Sequence, residues 1–272
     1  MPELPEVETI KSQLSSFLPL EVRKISFSNK TTKLIKKRDF VPKSGDVIAE
    51  FSRKGKILIF KFQNPNQFII SHLGMSGSWR ISDSQLDSVQ GKHAHVIFET
   101  EKKFLSYIDP RRFGYIYFLN KKNFLKIMNT WPMDISEQGF DHHHIKTIFN
   151  NSPHKILKPF LLDQKKFSGI GNYIASEICA RAKILPTRIV NTLSNKDCIN
   201  IKLAIEHILF EAQGSSGTTF GGGYRDAFGE KGEGVKHLVV FHQKICQMCK
   251  KTNIVKTILG GRGTFHCPRC QK

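Results

Sequence analysis

The sequence predicts an α+β multidomain chain in three segments: a strand-rich N-terminal region, a helical middle and a short C-terminal cysteine module. Three observations predict it. From about Val22 to Leu119, short β-branched and aromatic runs alternate with turn clusters. From about Trp131 to Ser216, apolar residues recur at helical spacing. Two Cys-x2-Cys pairs then close the chain between Cys246 and Cys270.

At 272 residues there is ample core for one large domain, or for two modest ones and a small module. The opening stretch, Met1-Pro2-Glu3-Leu4-Pro5-Glu6, starts a helix. Pro5 suits its first position, Glu6 and Glu8 suit its first turn, and Val7, Ile10 and Leu14 recur along one face. The strand runs include Ile57 to Phe62, Phe68 to His72, His95 to Glu99, Phe104 to Ile108 and Tyr115 to Leu119. Their spacing predicts an antiparallel sandwich or barrel. Asp109-Pro110-Arg111-Arg112-Phe113-Gly114 joins two of them as a loop carrying a basic pair and an aromatic. Trp131-Pro132 and polar neighbours interrupt both periods between Asn129 and Gly139, which marks a boundary.

Beyond that boundary, Ile145, Ile148 and Phe149 mark one helix and Ile156 to Leu162 a second. Ile174, Ile178 and Ala182 mark a third, and Ile201, Leu203, Ile205 and Ile208 a fourth. Ser168-Gly169-Ile170-Gly171-Asn172 reads as a glycine turn with Asn172 capping the third helix. Such a turn brings backbone N–H groups close to a phosphate, although plain capping accounts for it equally well. Gly214 to Gly234 holds eight glycines, a density that predicts a loop ordered only on binding.

The formal charge is +19, from 42 basic and 23 acidic side chains. That imbalance points to a polyanionic partner, nucleic acid foremost. No long apolar span or basic amphipathic anchor argues for a membrane, and acids and prolines occupy the place of a secretory apolar core. Cys179 and Cys198 stand alone and read as reduced thiols of a cytosolic protein. Cys246, Cys249, Cys267 and Cys270, with seventeen residues between the pairs, have the spacing of a four-thiolate zinc site, closed and therefore structural. Gly260-Gly261-Arg262-Gly263 forms the turn between the knuckles. Seven basic residues and no acidic one lie from Lys244 to Lys272. His142, His143 and His144 read as a solvated run rather than as ligands.

The N-terminus carries the reactive chemistry. A start methionine before a small residue is normally removed, which leaves Pro2 as a free secondary amine beside a carboxylate. An α-amino group titrates roughly two units below lysine, so more of it is unprotonated near neutrality. It can attack an electrophilic sugar C1′. The resulting iminium is charged at any pH and favours elimination at neighbouring carbons. Ordinary helices begin with the same residues, so this pattern takes its meaning from context.

Five stretches supply that context: Pro2 to Thr9, His72-Leu73-Gly74-Met75-Ser76-Gly77, Asp109 to Gly114, Gly169 to Glu177, and the cysteine tail. With them, nearly end to end, the chain resembles the bacterial formamidopyrimidine-DNA glycosylase family, base-excision enzymes that remove oxidised purines such as 8-oxoguanine. The resemblance implies a catalytic β-sandwich domain at 1–130 and a helix–two-turn–helix DNA-binding domain with a glycine-rich lesion loop at 131–240. It implies a four-cysteine zinc finger at 241–272, holding one structural zinc ion. The implied partner is double-stranded DNA with oxidised bases or abasic sites, bound by a monomer.

Residue roles follow from the same resemblance. Pro2 is implied as nucleophile, Glu3 as the group that moves protons and Glu6 as support near the sugar. Lys56, Lys158, Asn172 and Arg262 match phosphate ligands, and Glu3, Lys56 and Arg262 match proton donors. Met75, Arg111 and Phe113 match the trio that fills the void left by an extruded nucleotide. Two places depart from the family's pattern. Gly221-Gly222-Gly223 looks inserted after Thr218-Thr219-Phe220, in the loop that the resemblance implies covers the extruded base, with Arg225 and Thr219 as candidates to take part, and Val240-Phe241-His242-Gln243 also differs. Both bear on lesion preference. Two alternatives stand beside this reading: an endonuclease VIII activity on oxidised pyrimidines, and a non-catalytic lesion-binding module. The Leu4 to Thr9 wording and the void-filling trio favour the first reading, and intact Pro2 and Glu3 argue against the last.

Overall fold

The computed structural model describes residues 2–85, 91–221 and 223–272. Met1, whose removal the sequence predicts, and Gly222, within the apparent insertion, lie outside the described residues. The chain packs as two compact units, Met1–Trp131 with Ser215–Glu233, and Pro132–Gly214 with Gly234–Lys272. The glycine-rich segment therefore folds with the N-terminal unit, and the cysteine module folds with the helices.

In the N-terminal unit, α1 (Leu4–Ser15) precedes β1 (Leu20–Phe27), β2 (Ile35–Arg38), β3 (Val47–Lys54), β4 (Ile57–Phe62), β5 (Phe68–His72) and β6 (Ser78–Ser82). There follow β7 (Ala94–Thr100), β8 (Phe104–Ile108), β9 (Tyr115–Leu119) and α2 (Lys121–Met128). The strand order is β2-β9-β5-β4-β3-β1-β7-β8-β6, open at both ends, so the sheets make a sandwich and not a closed barrel. Strand β1 belongs to both sheets: Leu20 and Glu21 pair with β3, whereas Val22 to Phe27 pair with β7. One pairing, β2 with β9, is parallel and departs from the antiparallel expectation.

The inner faces meet through large rings. Phe60 of β4 lies 4.8 Å from Trp79 of β6, and Trp79 lies 6.0 Å from Phe98 of β7. Val7, Ile10 and Leu14 of α1 are fully buried in the same cluster, which anchors the helix and its N-terminal residues. The other face of β4 and β5 buries Ile57, Ile59 and Ile70 under Phe124, Ile127 and Met128 of α2. Burial on both faces explains why β4 reads as a nearly continuous apolar run.

The second unit holds α3 (His142–Asn150), α4 (Leu157–Leu161), α5 (Asn172–Arg181), α6 (Asn195–Gln213) and the hairpin β10 (Val255–Leu259) and β11 (Arg262–His266). Helix α6 starts with a capping box between Ser194 and Asp197 and buries Ile201, Ile205, Ile208 and Ala212. Leu203, part of the apolar series, points outward and is 55% exposed, because the helical period places it opposite that face. The hairpin turn is Gly260-Gly261, both at positive φ, with Arg262 and Gly263 already in the second strand. Among the described residues, no helix is long and apolar enough to cross a membrane.

Candidate active site and nucleic-acid interface

Pro2 and Glu3 precede α1, and Pro5 lies in its first turn, where the missing N–H costs no hydrogen bond. Glu3 is the N-cap. Its side chain accepts the N–H of Glu6, while its own N–H donates to Glu6 Oε2 at 2.8 Å, which closes a capping box. Pro2, Glu3 and Glu6 are all buried, Glu6 completely. Glu6 Oε1 accepts the N–H of Thr218 at 2.7 Å from the glycine-rich segment. One carboxylate thus holds the backbone beside Pro2 with one oxygen and the loop with the other. Gly217, at φ +79°, lies so close that a Cβ would sit 3.2 Å from Glu6 Oε1 and 3.0 Å from the Tyr224 ring. Burial first, and the Glu6 charge second, push the Tyr224 hydroxyl far above its ordinary range.

Lys56 follows Gly55 in the turn from β3 to β4, and Arg53 braces that turn. Arg53 Nε donates to Glu8 Oε2 at 2.8 Å and a terminal nitrogen donates to Gly55 O at 3.1 Å, tying the hairpin to α1. Burial pushes Glu8 up, but hydrogen bonds from Lys11 and Arg53 outweigh it and hold the carboxyl below its usual range. His72, paired across β4 with Ile57, stacks on Tyr115 at 5.0 Å and accepts the Gly74 N–H on Nδ1 at 3.1 Å. Burial, then the Lys56 charge, hold His72 down at about 4, so the ring is neutral at pH 7.

Two loops of this unit interlock. Asp109 is fully buried, and its carboxylate accepts from Ser76 Oγ at 2.6 Å and from the Gly114 N–H at 2.9 Å. Tyr107 OH donates to the same group at 3.3 Å, and Ser76 Oγ accepts the Arg111 N–H at 3.3 Å. Gly74, at φ +64°, packs so tightly that a Cβ would lie 2.5 Å from Gly114 N and from the Phe113 carbonyl carbon. This buried network lets the tips stand out: Met75 is 37% exposed and Phe113 55%, with the Arg111 guanidinium 4.6 Å from the Phe113 ring centre. Met75, Arg111 and Phe113 are thus carried by one locked pair of loops.

In the second unit, Lys158, Asn172 and the β10–β11 hairpin converge. Lys158 is fully buried, and its Nζ donates to Asn172 Oδ1 at 2.6 Å and to Gly263 O at 3.2 Å. Asn172 Nδ2 donates to the same Gly263 carbonyl at 3.1 Å. The capping expectation needs correction: Gly171 is the N-cap of α5, and Asn172, one residue inside the helix, spends its side chain on Lys158 and the hairpin. Arg262 stands next to this cluster in β11 and is exposed. Sequence reasoning missed Glu177, which is buried and accepts N–H groups from Val239, Val240 and Phe241 at 2.8–2.9 Å. Burial raises its carboxyl above the usual range, against the pull of those donors. The only hint in the sequence was an acid set within an apolar helix.

The four cysteine sulfurs of the tail all lie within 4.8 Å of one another. Cys246 and Cys270 are 3.9 Å apart, as are Cys249 and Cys267. A tetrahedron with 2.3 Å metal–sulfur bonds has edges of about 3.8 Å, so this set fits one closed four-coordinate ion. Among the described residues, no other group of three His, Cys, Asp or Glu side chains gathers at such distances. His142 to His144 instead form the first turn of α3, where Asp141 Oδ1 accepts the His144 N–H at 2.8 Å.

Comparison with known proteins adds three findings. Family models match for the formamidopyrimidine-DNA glycosylase N-terminal domain over residues 1–116 and the formamidopyrimidine-DNA glycosylase H2TH domain over residues 133–221. The chain is 34% identical over 278 residues to a formamidopyrimidine-DNA glycosylase of Syntrophomonas wolfei, and 33% identical over 282 residues to one of Wolbachia pipientis, each covering 100% of both chains. It is also similar to solved Lactococcus lactis Fpg structures. In the complex with abasic-site DNA the TM-score is 0.86 at 28% identity, and in a variant complexed with Fapy-dG DNA it is 0.86 at 27%. In a complex with oxidised-pyrimidine DNA the TM-score is 0.85 at 27%; all three comparisons cover 100% of both chains.

Proposed function

The chain belongs to the formamidopyrimidine-DNA glycosylase family of repair enzymes, and on that premise we propose that it excises oxidised purines and then nicks the strand. The observation that carries the proposal is the buried capping box at the start of α1, which fixes the backbone beside Pro2. After loss of the preceding methionine, the Pro2 nitrogen attacks C1′ of the damaged nucleotide. The N–C1′ bond forms, the glycosidic bond breaks, and its electron pair leaves with the base, which takes up a proton. Opening of the C1′–O4′ bond gives an iminium, with Glu3 delivering the proton to O4′. The iminium acidifies C2′, whose deprotonation expels the 3′ phosphate; a second elimination expels the 5′ phosphate. Glu6, with both oxygens engaged by backbone N–H groups, positions Pro2 and the loop rather than moving protons.

Met75 and Phe113 fill the space of the extruded nucleotide, and Arg111 donates to the orphaned base. Lys56, Asn172 and Arg262 contact phosphates, and Lys158 contributes its charge from behind Asn172 and Gly263. Lys56 and Arg262 are further candidates for proton donation. A zinc ion on Cys246, Cys249, Cys267 and Cys270 holds the hairpin that carries Arg262 and takes no part in the reaction. The enzyme acts as a monomer in the cytoplasm. Borohydride trapping tests the proposal: duplexes carrying 8-oxoguanine or an abasic site should give a covalent adduct. Thymine glycol defines the second reading, favoured by the oxidised-pyrimidine complex of the Lactococcus lactis relative. Faster trapping on thymine glycol than on 8-oxoguanine would reverse the lesion preference. No adduct on any duplex would leave a lesion-binding protein.

A further inference from the structure

One pocket of the N-terminal unit belongs neither to the start of α1 nor to the loops bearing Met75 and Arg111. It measures about 460 Å³, and its walls include Arg80, His93, Arg225, Phe228, Gly229 and Glu230. Arg80 projects from β6. The chain from Arg225 to Ala227 lies along the edge of that strand: Ile81 N donates to Ala227 O at 2.9 Å, and Ser78 Oγ donates to Arg225 O at 2.9 Å. Both guanidinium groups flank Gly229. Arg225 donates to the Gly229 carbonyl at 3.0 Å, and a Cβ on Gly229 would stand 2.7 Å from a terminal nitrogen of Arg80.

The charges here are formally equal, Arg80 and Arg225 against Asp226 and Glu230, but they are not paired. Among the described residues neither arginine has a salt-bridge partner. The nearby Asp226 carboxylate is taken by Gln13 Nε2 at 2.7 Å and by the N–H groups of Phe228 and Glu230. Glu230 is exposed and pairs with neither. Arg80 Nε is buried without a partner, and so is the hydroxyl of Ser106, which lies opposite Arg80 across the β6–β8 ladder. Burial, then the Arg225 charge, hold the Arg80 guanidinium below its ordinary range, against the opposite pull of Asp226 and Glu230. Two like charges and an orphaned donor in one half-buried pocket are unfavourable in isolation. They suit an oxyanion, which planar guanidinium groups bind through paired hydrogen bonds.

We propose that Arg80 and Arg225 form a phosphate-binding site that clamps the Arg225–Glu230 segment to the edge of β6, with Phe228 as its apolar wall. The segment is already tied to α1, since Gln13 holds Asp226 and Ala227, and Glu6 holds Thr218. An anion between the two arginines therefore stiffens the loop beside the candidate active site. The proposal rests on the DNA-repair reading for one source of that phosphate, a backbone phosphate of a bound strand. Inorganic phosphate presents the same chemistry.

R80Q and R225Q variants separate these sources. Binding to a duplex with an abasic-site analogue is measured from low to moderate chloride. Loss of one strand phosphate contact is expected to make the slope of log K against log salt shallower by about 0.9, with the double variant no shallower than either single one. In parallel, thermal unfolding is followed with inorganic phosphate against chloride at equal ionic strength. Phosphate is expected to raise the unfolding temperature of the unsubstituted protein more than that of R225Q. The unfolding temperature of R225Q in chloride alone is its baseline, because the variant loses both a like-charge contact and the hydrogen bond to Gly229 O. A changed slope assigns the site to the strand, and a changed phosphate response with an unchanged slope assigns it to a free anion. Variants matching the unsubstituted protein in both arms overturn the proposal. If the unsubstituted protein does not bind the duplex, the repair reading fails and the phosphate arm alone decides this site. R225Q lies on a surface segment and keeps the test valid should R80Q fail to fold.

Discussion

Glu6 offers one oxygen to the Glu3 N–H and the other to the Thr218 N–H. Replacing it with glutamine keeps one acceptor and turns an NH2 group toward the second donor. Hydrogen bonds to a charged acceptor contribute about 1.5–3 kcal/mol each. E6Q is therefore expected to lose about 2 kcal/mol in urea unfolding, and the Thr218 amide should exchange hydrogen faster. His72 sets a pH dependence. Its folded value of about 4 lies below the unfolded value near 6.5, so the neutral ring contributes fully above pH 6.5. Below that the unfolded chain binds protons first, and stability falls as pH drops from about 6.5 toward 4, by up to about 3 kcal/mol from this residue. His95, His242 and His266 are also held down by burial and act in the same direction. The measurement is thus a difference: H72Q should show a flatter pH dependence of unfolding than the unsubstituted protein. A parallel curve would remove His72 from the account.

The interlocked loops have their weakest point at Gly74. Alanine there meets both a positive φ and a Cβ 2.5 Å from the Gly114 and Phe113 backbone, so the two loops cannot keep their contact. G74A is expected to weaken lesion-duplex binding at least about tenfold, roughly 1.4 kcal/mol, with the sandwich still folded by circular dichroism. Unchanged binding would mean that Met75, Arg111 and Phe113 do not act from this loop pair. Elements of this kind were only partly legible in the sequence. Strands such as Ile57–Phe62 and Phe104–Ile108 announce themselves because burial selects a continuous or alternating apolar pattern. The sharing of β1 between two sheets left no such mark, since it depends on register and not on composition. Asn172 read as a cap from its type alone, whereas its partners, Lys158 and Gly263, lie 14 and 91 residues away in the chain. The glycine-rich segment read as a loop, but its attachment to Glu6 and Gln13 is a long-range fact that no local pattern carries.

At the scale of the whole chain, a charge of +19 and a cysteine hairpin serve one account. The charge should make duplex binding fall steeply with salt, and a shallow slope would assign it to something else. Four thiols packed within 4.8 Å cannot all ionise without a cation, so chelation or C246S should unfold the hairpin, release Gly263 from Lys158 and Asn172, and weaken DNA binding. Binding that survives chelation unchanged would exclude the hairpin from the interface. The cysteine cluster was legible because its chemistry depends on residue type and spacing, and Pro2 and Glu3 are nominated on the same ground. The candidate site was hidden where buried polar groups hold backbone, as with Asp109 and Glu177. The most direct test of the central claim is peptide mass spectrometry of the borohydride-reduced adduct formed with abasic-site DNA. The deoxyribose mass is expected on the nitrogen of a peptide that begins at Pro2. Adduct mass on Lys56 or another lysine, or fully active protein that retains Met1, would contradict it.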